Sequence, residues 1–111
     1  MPKVFIIILH WNNLADTLEC LESLQKIDYP NYQVVVIDNG SENKFKVLSY
    51  KLKVIYNEEN LGFAGGNNVG IKYALENGAD YVLLLNDDTI TAPNFLTKLV
   101  EAAQSEQKIG L

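Results

Sequence analysis

Residues 4–13 read VFIIILHWNN, an apolar run over residues 4–9 that gives way at once to polar side chains. A short, continuous apolar run rich in β-branched residues is typical of a parallel strand that is covered on both faces. Similar runs follow at residues 33–37, 53–56 and 81–85. We therefore predict four strands in one mostly parallel sheet.

A helical pattern follows the first strand. The stripe expected to be buried in this helix consists of Leu14, Leu18, Leu21 and Leu24. Asp16 and Glu19 stand at capping-box spacing near its start. Cys20 lies beside the stripe, and we expect it to be a small buried hydrophobic residue.

Two further helices are predicted around the fourth strand. The earlier one is expected to bury Ile71, Ala74 and Leu75. Gly78 then stands where a left-handed residue would end it. The later helix starts near Thr91 and Pro93. Its expected buried stripe is Phe95, Leu96, Leu99 and Val100. Residues 42–50 are interpreted as a weak helix.

Alternation of strands and helices predicts an α/β domain with a mostly parallel sheet and helices on both faces. Residues 1–111 suit a single domain, and the last residues, KIGL at 108–111, look like the opening of a fifth strand. We expect the chain to be a truncated portion of a longer protein.

Composition and charge exclude several classes of protein. A net charge of −5 and a pI of about 4.7 leave no basic surface for nucleic acid. Cys20 is the single cysteine, so neither an internal disulfide nor a cysteine zinc cluster can form. Residues 4–9 are too short for a signal peptide, and no segment predicts a membrane span. The expected location is the cytoplasm, or the cytoplasmic face of the membrane for a full-length protein.

Polar clusters follow all four predicted strands. They occupy residues 10–13, 38–41, 57–68 and 86–89. In open parallel sheets ligands bind at the carboxyl ends of the strands, so these clusters should converge on one functional edge.

The sequence Asn86-Asp87-Asp88 ends the fourth strand. Two adjacent carboxylates repel each other, and a divalent cation shared with ligand phosphate oxygens would offset that repulsion. An Asx turn made by Asp88 and Thr89 before the next helix is the structural alternative. The three other polar clusters favour the ligand site.

Other polar residues are less decisive. Asp38 could accept hydrogen bonds from a ribose or a base, whereas Asn39 and Gly40 are also explained by a turn. The glycine- and asparagine-rich segment 60–70 matches neither the dinucleotide-binding motif nor a P-loop. His10 has no partner detectable in the sequence, and we expect a structural role for it.

Taken together, these segments resemble the opening of the family 2 glycosyltransferases. The resemblance runs in order through residues 4–12, 18–24, 36–41, 60–70 and 84–88. Segment 60–70 resembles the rhamnosyltransferase-like branch of that family. The resemblance implies a Rossmann-like nucleotide-binding half of a GT-A fold, a nucleotide-diphospho-sugar donor and a divalent metal, Mn²⁺ or Mg²⁺.

The resemblance also assigns roles to residues. Asp38 would contact the base or ribose, Trp11 would line the base pocket, and the glycine-rich segment would close over the donor. Asp88, with Asp87, would hold the metal. The full set expected to bind the donor is Trp11, Asn12, Asp38, Asn39, Gly62, Phe63, Gly65, Gly66, Asn67, Asn68, Asn86 and Asp87.

The implied reaction is inverting transfer of a sugar from a UDP-, dTDP- or GDP-linked donor to a saccharide or lipid-linked acceptor, as in cell-surface polysaccharide synthesis. The catalytic base of the family lies in a part that this chain does not contain, so the chain alone is expected to be inactive. Two alternatives stay open. A sugar nucleotidyltransferase should carry a basic glycine-rich loop after the first strand, and residues 12–17 show none. A non-catalytic α/β module that binds a nucleotide or a metal would normally place its acidic pair after the first strand.

Overall fold

The computed structural model describes residues 1–47, 49 and 51–105. In this part of the chain the elements are, in order, β1 (Val4–His10), α1 (Leu14–Leu24), β2 (Tyr32–Asn39), β3 (Leu52–Asn57), α2 (Gly62–Glu76), β4 (Tyr81–Leu85) and α3 (Phe95–Ser105). The sheet has the strand order β3-β2-β1-β4, and every pairing in it is parallel. The predicted strands and the parallel sheet are confirmed. The fifth strand expected at residues 108–111 lies outside the described residues.

The sheet separates two hydrophobic layers, and β1 contributes to both. Ile6 and Ile8 pack into the layer that α1 and α3 cover. Phe5 and Ile7 point the other way, into the layer covered by α2. Because both faces of β1 are buried, its continuous apolar sequence has the expected physical cause. The prediction of helices on both faces is confirmed.

Helix α1 begins one turn earlier than its predicted cap. The Oδ1 of Asn13 accepts a hydrogen bond from the backbone N–H of Asp16 at 3.4 Å, and its Nδ2 donates to the Asp16 carboxylate at 2.7 Å. Asn13 is therefore the N-cap, and the capping box expected at Asp16 and Glu19 is not formed.

The buried face of α1 also differs from the leucine stripe. Leu14 and Leu18 are 48% and 39% exposed, so the prediction that they are buried is wrong. Thr17 and Cys20 face the sheet instead, because the Thr17 hydroxyl pairs with the buried His10 ring. Cys20 is buried as expected, and burial raises the pKa of its thiol to about 11.

The connection between β2 and β3 contains no helix in its described residues, so the weak helix expected at residues 42–50 is wrong there. The Asp38 carboxylate accepts hydrogen bonds from the N–H of Ser41 at 3.1 Å and from the N–H of Phe45 at 2.7 Å. Phe45 is buried beside the ring of His10. One anchored aromatic side chain thus covers this part of the sheet where a helix would ordinarily pack.

Helix α2 lies very close to the sheet. Its buried positions include Gly66, Gly70 and Ala74, which lie four residues apart on one face. A Cβ at Gly66 would come within 2.4 Å of Leu9 Cδ1, and one at Gly70 within 2.5 Å of Ile7 Cγ2. Small residues are therefore required along this face.

The ends of the remaining helices complete the fold. Leu75 was expected to be buried on α2 but is 65% exposed. Gly78 has the predicted left-handed conformation, with φ +84°, and the N–H of Ala79 returns to the Ala74 carbonyl at 3.0 Å. Helix α3 starts two residues after Pro93 and buries Leu96 and Val100. None of the described helices is long and apolar enough to cross a bilayer.

Candidate functional site

The carboxyl ends of the four strands lie along one edge of the sheet. His10 on β1 is in register with Asp38 on β2, and Asp38 is in register with Tyr56 on β3. On the other side of β1, Ile8 is in register with Leu85 at the end of β4. The polar clusters predicted to converge therefore follow neighbouring strands on a common edge.

These polar residues line three hollows in the described part of the chain. The largest, of about 470 Å³, is lined by His10 and Asn12 together with residues 42–47 of the β2–β3 connection. The other two contain the acidic residues of the predicted site. The first, which we call the acidic cleft, has a volume of about 250 Å³ and lies between the end of β4 and the start of α2. It is lined by Leu9, Phe63, Asn67, Leu84, Leu85, Asn86, Asp87 and Asp88. The second, which we call the Asp38 hollow, has a volume of about 240 Å³. It is lined by Asp38, Gly40, Ser41, Lys44, Tyr56, Asn57 and Glu58.

The two carboxylates of the acidic cleft are not used to hold the chain. A backbone turn follows β4, in which the N–H of Thr89 donates to the Asn86 carbonyl at 3.1 Å. Within the described residues, neither Asp87 nor Asp88 accepts a hydrogen bond on its carboxylate from another residue. The turn alternative thus explains the backbone here and leaves both carboxylates available to a ligand.

The electrostatics of the acidic cleft favour a cation. Burial raises the pKa of Asp87, and the neighbouring charges of Asp88 and Asp16 raise it further, against the opposing effect of His10. A bound cation would relieve this cost. No group of three or more acidic, histidine or cysteine side chains suited to a metal occurs in the described part of the chain. The two adjacent carboxylates match the way Mg²⁺ is usually held, by one or two carboxylates plus substrate phosphate oxygens.

His10 occupies the middle of the edge, between the acidic cleft and the Asp38 hollow, and lines the third hollow. Its Nδ1 lies 2.7 Å from Thr17 Oγ1, and its ring lies 4.9 Å from that of Phe45. Burial lowers the pKa of the imidazole, although the charges of Asp38 and Asp87 oppose that shift. The expected structural role is consistent with this packing. The sequence concealed the partner because Thr17 reaches the ring only through the β1–α1 turn.

Asp38 is a buried carboxylate that is already well satisfied. Burial by itself would raise its pKa, but hydrogen bonds from Ser41 and Phe45, with the charge of His10, outweigh burial and hold the pKa below its usual value. Tyr56 is 46% exposed beside it, with the Lys44 Nζ 5.7 Å from the centre of the Tyr56 ring. Tyr56 and Lys44 were not among the predicted site residues, since they belong to a strand face and to an irregular connection.

Asn39 joins three segments at this edge. Its Oδ1 accepts hydrogen bonds from Asn57 Nδ2 and from the N–H of Leu61, both at 3.1 Å. Its Nδ2 donates to Asn60 Oδ1 at 3.0 Å and to the Gly62 carbonyl at 3.2 Å. The buried amide thus fixes the start of α2 relative to the ends of β2 and β3.

The remaining predicted residues are dispersed. Asn12 holds the chain, since its N–H donates to Ser41 Oγ at 2.9 Å and its Oδ1 accepts from the N–H of Glu42 at 2.8 Å. Trp11 is 52% exposed and lines none of the three hollows, and Asn68 is exposed on α2 outside all of them.

The glycines of the predicted set lie at the start of α2 and within it. Gly62 is the first residue of α2, and Gly66 packs on Leu9. At Gly65, an added Cβ would lie 3.0 Å from the Cβ of Leu61. The structure therefore brings together, in the acidic cleft, only Phe63, Asn67, Asn86, Asp87 and Asp88 of the predicted site. The donor and metal roles assigned to all these residues stay predictions.

Comparisons with known proteins give a consistent result. Residues 5–110 match the profile described as Glycosyl transferase family 2. The chain is 31% identical over 108 residues to an uncharacterized glycosyltransferase of Haemophilus influenzae, which covers 95% of this chain and 36% of that protein.

Solved structures share the fold. Staphylococcus aureus TarS 1–349 in complex with UDP-GlcNAc matches with a TM-score of 0.79 at 27% identity, covering 95% of this chain and 32% of that one. Mannosyltransferase PcManGT from Pyrobaculum calidifontis, in complex with GDP-Man and Mn²⁺, matches with a TM-score of 0.77 at 21% identity, covering 92% and 32%. At that identity the second likeness bears on the fold alone. The expected GT-A type of α/β fold is confirmed, whereas the rhamnosyltransferase-like branch stays a prediction.

Proposed function

Because the chain belongs to glycosyltransferase family 2, we propose that it forms the donor-binding part of an enzyme that transfers a sugar from a nucleotide-diphospho-sugar to an acceptor hydroxyl. The observation that carries this proposal is the acidic cleft, where the carboxylates of Asp87 and Asp88, at the carboxyl end of β4, have no hydrogen-bond partner among the other described residues. The UDP-GlcNAc complex of TarS, which shares 27% identity with this chain, supports the class of ligand.

The acidic cleft and the Asp38 hollow suggest how a donor would lie along the edge. The Asp38 hollow offers a carboxylate and the exposed ring of Tyr56, which suit a ribose and a base. The acidic cleft offers the carboxylates on the other side of His10, which suit the diphosphate end through a cation. Trp11, on the rim between them, would contact the base from the open side.

Asp87 and Asp88 would hold the divalent metal, Mn²⁺ or Mg²⁺. When bound, such an ion stabilises the negative charge that develops on the leaving nucleoside diphosphate. The contribution of the chain itself is to keep the half-buried carboxylate of Asp87 and the exposed carboxylate of Asp88 at the end of β4 without partners among the other described residues. Asp38 and Asn39 contribute by fixing the segments on either side.

The chain spans 36% of the H. influenzae relative and 32% of TarS 1–349, so several features of the whole protein belong to this proposal. They are the inverting course of the reaction, a saccharide or lipid-linked acceptor, a role in polysaccharide synthesis and a cytoplasmic location. The general base that takes the acceptor proton would be supplied from outside these 111 residues.

A thermal-shift titration with UDP, dTDP, GDP and ADP, each with and without Mn²⁺, tests the proposal. A ligand that binds only the folded chain raises its stability by about 2.7 kcal/mol at a hundredfold excess over Kd. We expect one nucleotide to raise Tm only with Mn²⁺, and Asp88→Asn to abolish the shift. Glu101→Gln, which removes an exposed charge on α3, is the matched control and should keep it. A shift that is independent of metal, or unchanged in Asp88→Asn, would contradict the proposed role of the acidic cleft.

A further inference from the structure

One buried side chain of the acidic cleft lacks a hydrogen-bond partner in the described part of the chain. Asn67, in the second turn of α2, is 4% exposed, yet its amide neither donates nor accepts a hydrogen bond there. Every fully enclosed side-chain polar atom among those residues has a partner. The amide atoms of Asn67 must therefore open on the cleft that this residue lines.

Asn39, the other buried asparagine at this edge of the sheet, does not share the lack of hydrogen-bond partners seen at Asn67. Asn39 is also buried, at 2% exposed, and its amide makes four hydrogen bonds to the protein. A buried amide without a partner costs free energy unless something else satisfies it. A polar ligand in the acidic cleft would supply the missing partner.

The lining of the cleft indicates which part of a ligand that is. Its apolar lining consists of Leu9, Leu84, Leu85 and the ring of Phe63, which is 67% exposed, and no lysine or arginine is among its described lining residues. The diphosphate would be held by the cation on Asp87 and Asp88 and would gain nothing from the apolar walls, which are left for another part of the donor. A pyranose presents C–H faces to aromatic and aliphatic surfaces and hydroxyl groups to amides and carboxylates. At about 250 Å³ the cleft is smaller than pockets for drug-sized ligands, which suits a single ring.

We infer that Asn67 hydrogen-bonds the sugar of the donor, through a hydroxyl or an acylamino group, and so takes part in selecting that sugar. This inference rests on the proposed function, since it presupposes a nucleotide-sugar donor. The neutral amide both donates and accepts, so it can pair with a sugar substituent of either kind.

The fold holds Asn67 in place before any ligand arrives. Gly66 and Gly70, on either side of it, pack against Leu9 and Ile7 with no room for a Cβ. Asn39 fixes Leu61 and Gly62 at the start of the same helix. A side chain that is set by helix packing loses little freedom on binding, which favours a role in recognition.

The test compares Asn67→Leu with Lys72→Leu as the control, because Lys72 is exposed on the same helix, belongs to no predicted site and lines none of the three hollows. Dissociation constants are measured by calorimetry, with Mn²⁺ present, for UDP against UDP-GlcNAc and for GDP against GDP-mannose. For the pair that the unmodified chain binds, we expect Asn67→Leu to weaken the sugar nucleotide on the order of tenfold relative to the nucleotide alone. Lys72→Leu should leave that ratio unchanged.

A second measurement separates recognition from structure. Leucine is similar in size to asparagine and needs no hydrogen bond, so Asn67→Leu should melt no lower than the unmodified chain without ligand. An unchanged ratio would overturn the inference, as would equal weakening of nucleotide and sugar nucleotide, or a marked fall in Tm. If the unmodified chain binds none of UDP, dTDP and GDP with Mn²⁺, the proposed function fails. If it binds a pair and only the ratio is unmoved, the sugar contact of Asn67 alone fails.

Discussion

The His10 imidazole is buried at the point where the two halves of the candidate site meet. The ring is hydrogen-bonded to the Thr17 hydroxyl and packs against Phe45. It also interacts electrostatically with the carboxylates of Asp38 and Asp87. Burial nevertheless dominates and lowers its pKa, so the neutral ring is the form that suits the fold.

This shift predicts a specific dependence of stability on pH. The folded pKa lies below the ordinary 6.5, so the unfolded chain takes up the proton first as the pH falls. The contribution of His10 is therefore complete above about pH 6.5 and is lost progressively below it, at no more than about 1.4 kcal/mol per pH unit. We expect urea denaturation between about pH 7.5 and 5.5 to show this slope, and His10→Asn to flatten it. Equal slopes in the two proteins would contradict the assignment.

For Asp87 we expect the opposite dependence of stability on pH. Burial and the nearby Asp88 raise its pKa, so the carboxylate favours the fold when protonated, and that stability is lost as the pH rises through the folded pKa. At pH 7 without metal, Asp87→Asn should therefore raise Tm by a few degrees while abolishing any Mn²⁺-dependent nucleotide shift. Differential scanning calorimetry measures the first effect, and Glu101→Gln is the control for loss of one charge. A lower Tm for Asp87→Asn would show that the carboxylate supports the fold.

At the scale of elements, the approach of α2 to β1 decides where the cleft lies. Alanine is ordinarily better than glycine inside a helix by about 1 kcal/mol. At Gly70 the new Cβ would meet Ile7 Cγ2 at 2.5 Å, in a fully buried and β-branched strand residue that has little room to move. We expect Gly70→Ala to destabilise the chain by about 1–3 kcal/mol in urea denaturation. Asn68→Ala, exposed on the same helix, should be neutral or slightly stabilising, and equal effects of the two would contradict the close packing.

The same helix shows what the sequence could not predict. Strands were recognisable because burial on both faces leaves a continuous apolar run, as in β1. The buried face of α2 is made of Gly66, Gly70 and Ala74, which carry almost no hydrophobic signal, so periodicity pointed wrongly to Leu75. Segment 42–50 was interpreted as a weak helix, but in its described residues 42–47 the carboxylate of Asp38 and the buried ring of Phe45 fix a non-helical path.

The candidate site was predictable to the extent that strand ends determine it. Polar residues after parallel strands must share an edge, and this rule placed Asp38, Asp87 and Asp88 correctly on one rim. It could not show that this rim divides into three hollows. Nor could it show that the Asn39 amide is hydrogen-bonded to the protein while the Asn67 amide has no partner among the described residues. The hydrogen bonds and the shape of the edge both depend on contacts between distant segments.

At the scale of the whole molecule, β4 forms an apolar edge of the sheet in the part of the chain that the structure describes. In the described residues no strand pairs with the outer side of β4, whose sequence is YVLLL, and Leu84 there is 44% exposed. An unpaired apolar edge is a template for strand pairing between chains. The net charge of −5 opposes such association, and salt screens that repulsion.

These opposing effects predict self-association that grows with ionic strength, which sedimentation velocity over a range of salt and protein concentrations would measure. Leu84→Lys should suppress it, because a lysine on an edge strand must be desolvated for a second strand to pair there. Leu75→Lys is the matched control, since it makes the same change of charge at a leucine that is 65% exposed on α2, away from the edge. Both variants lower the net negative charge equally. If repulsion between net charges alone governed association, the weaker repulsion would make both variants associate more strongly than the unmodified chain. Weaker association of Leu84→Lys only would locate the contact at β4. Equal behaviour of the two variants would show that the sheet edge does not govern association.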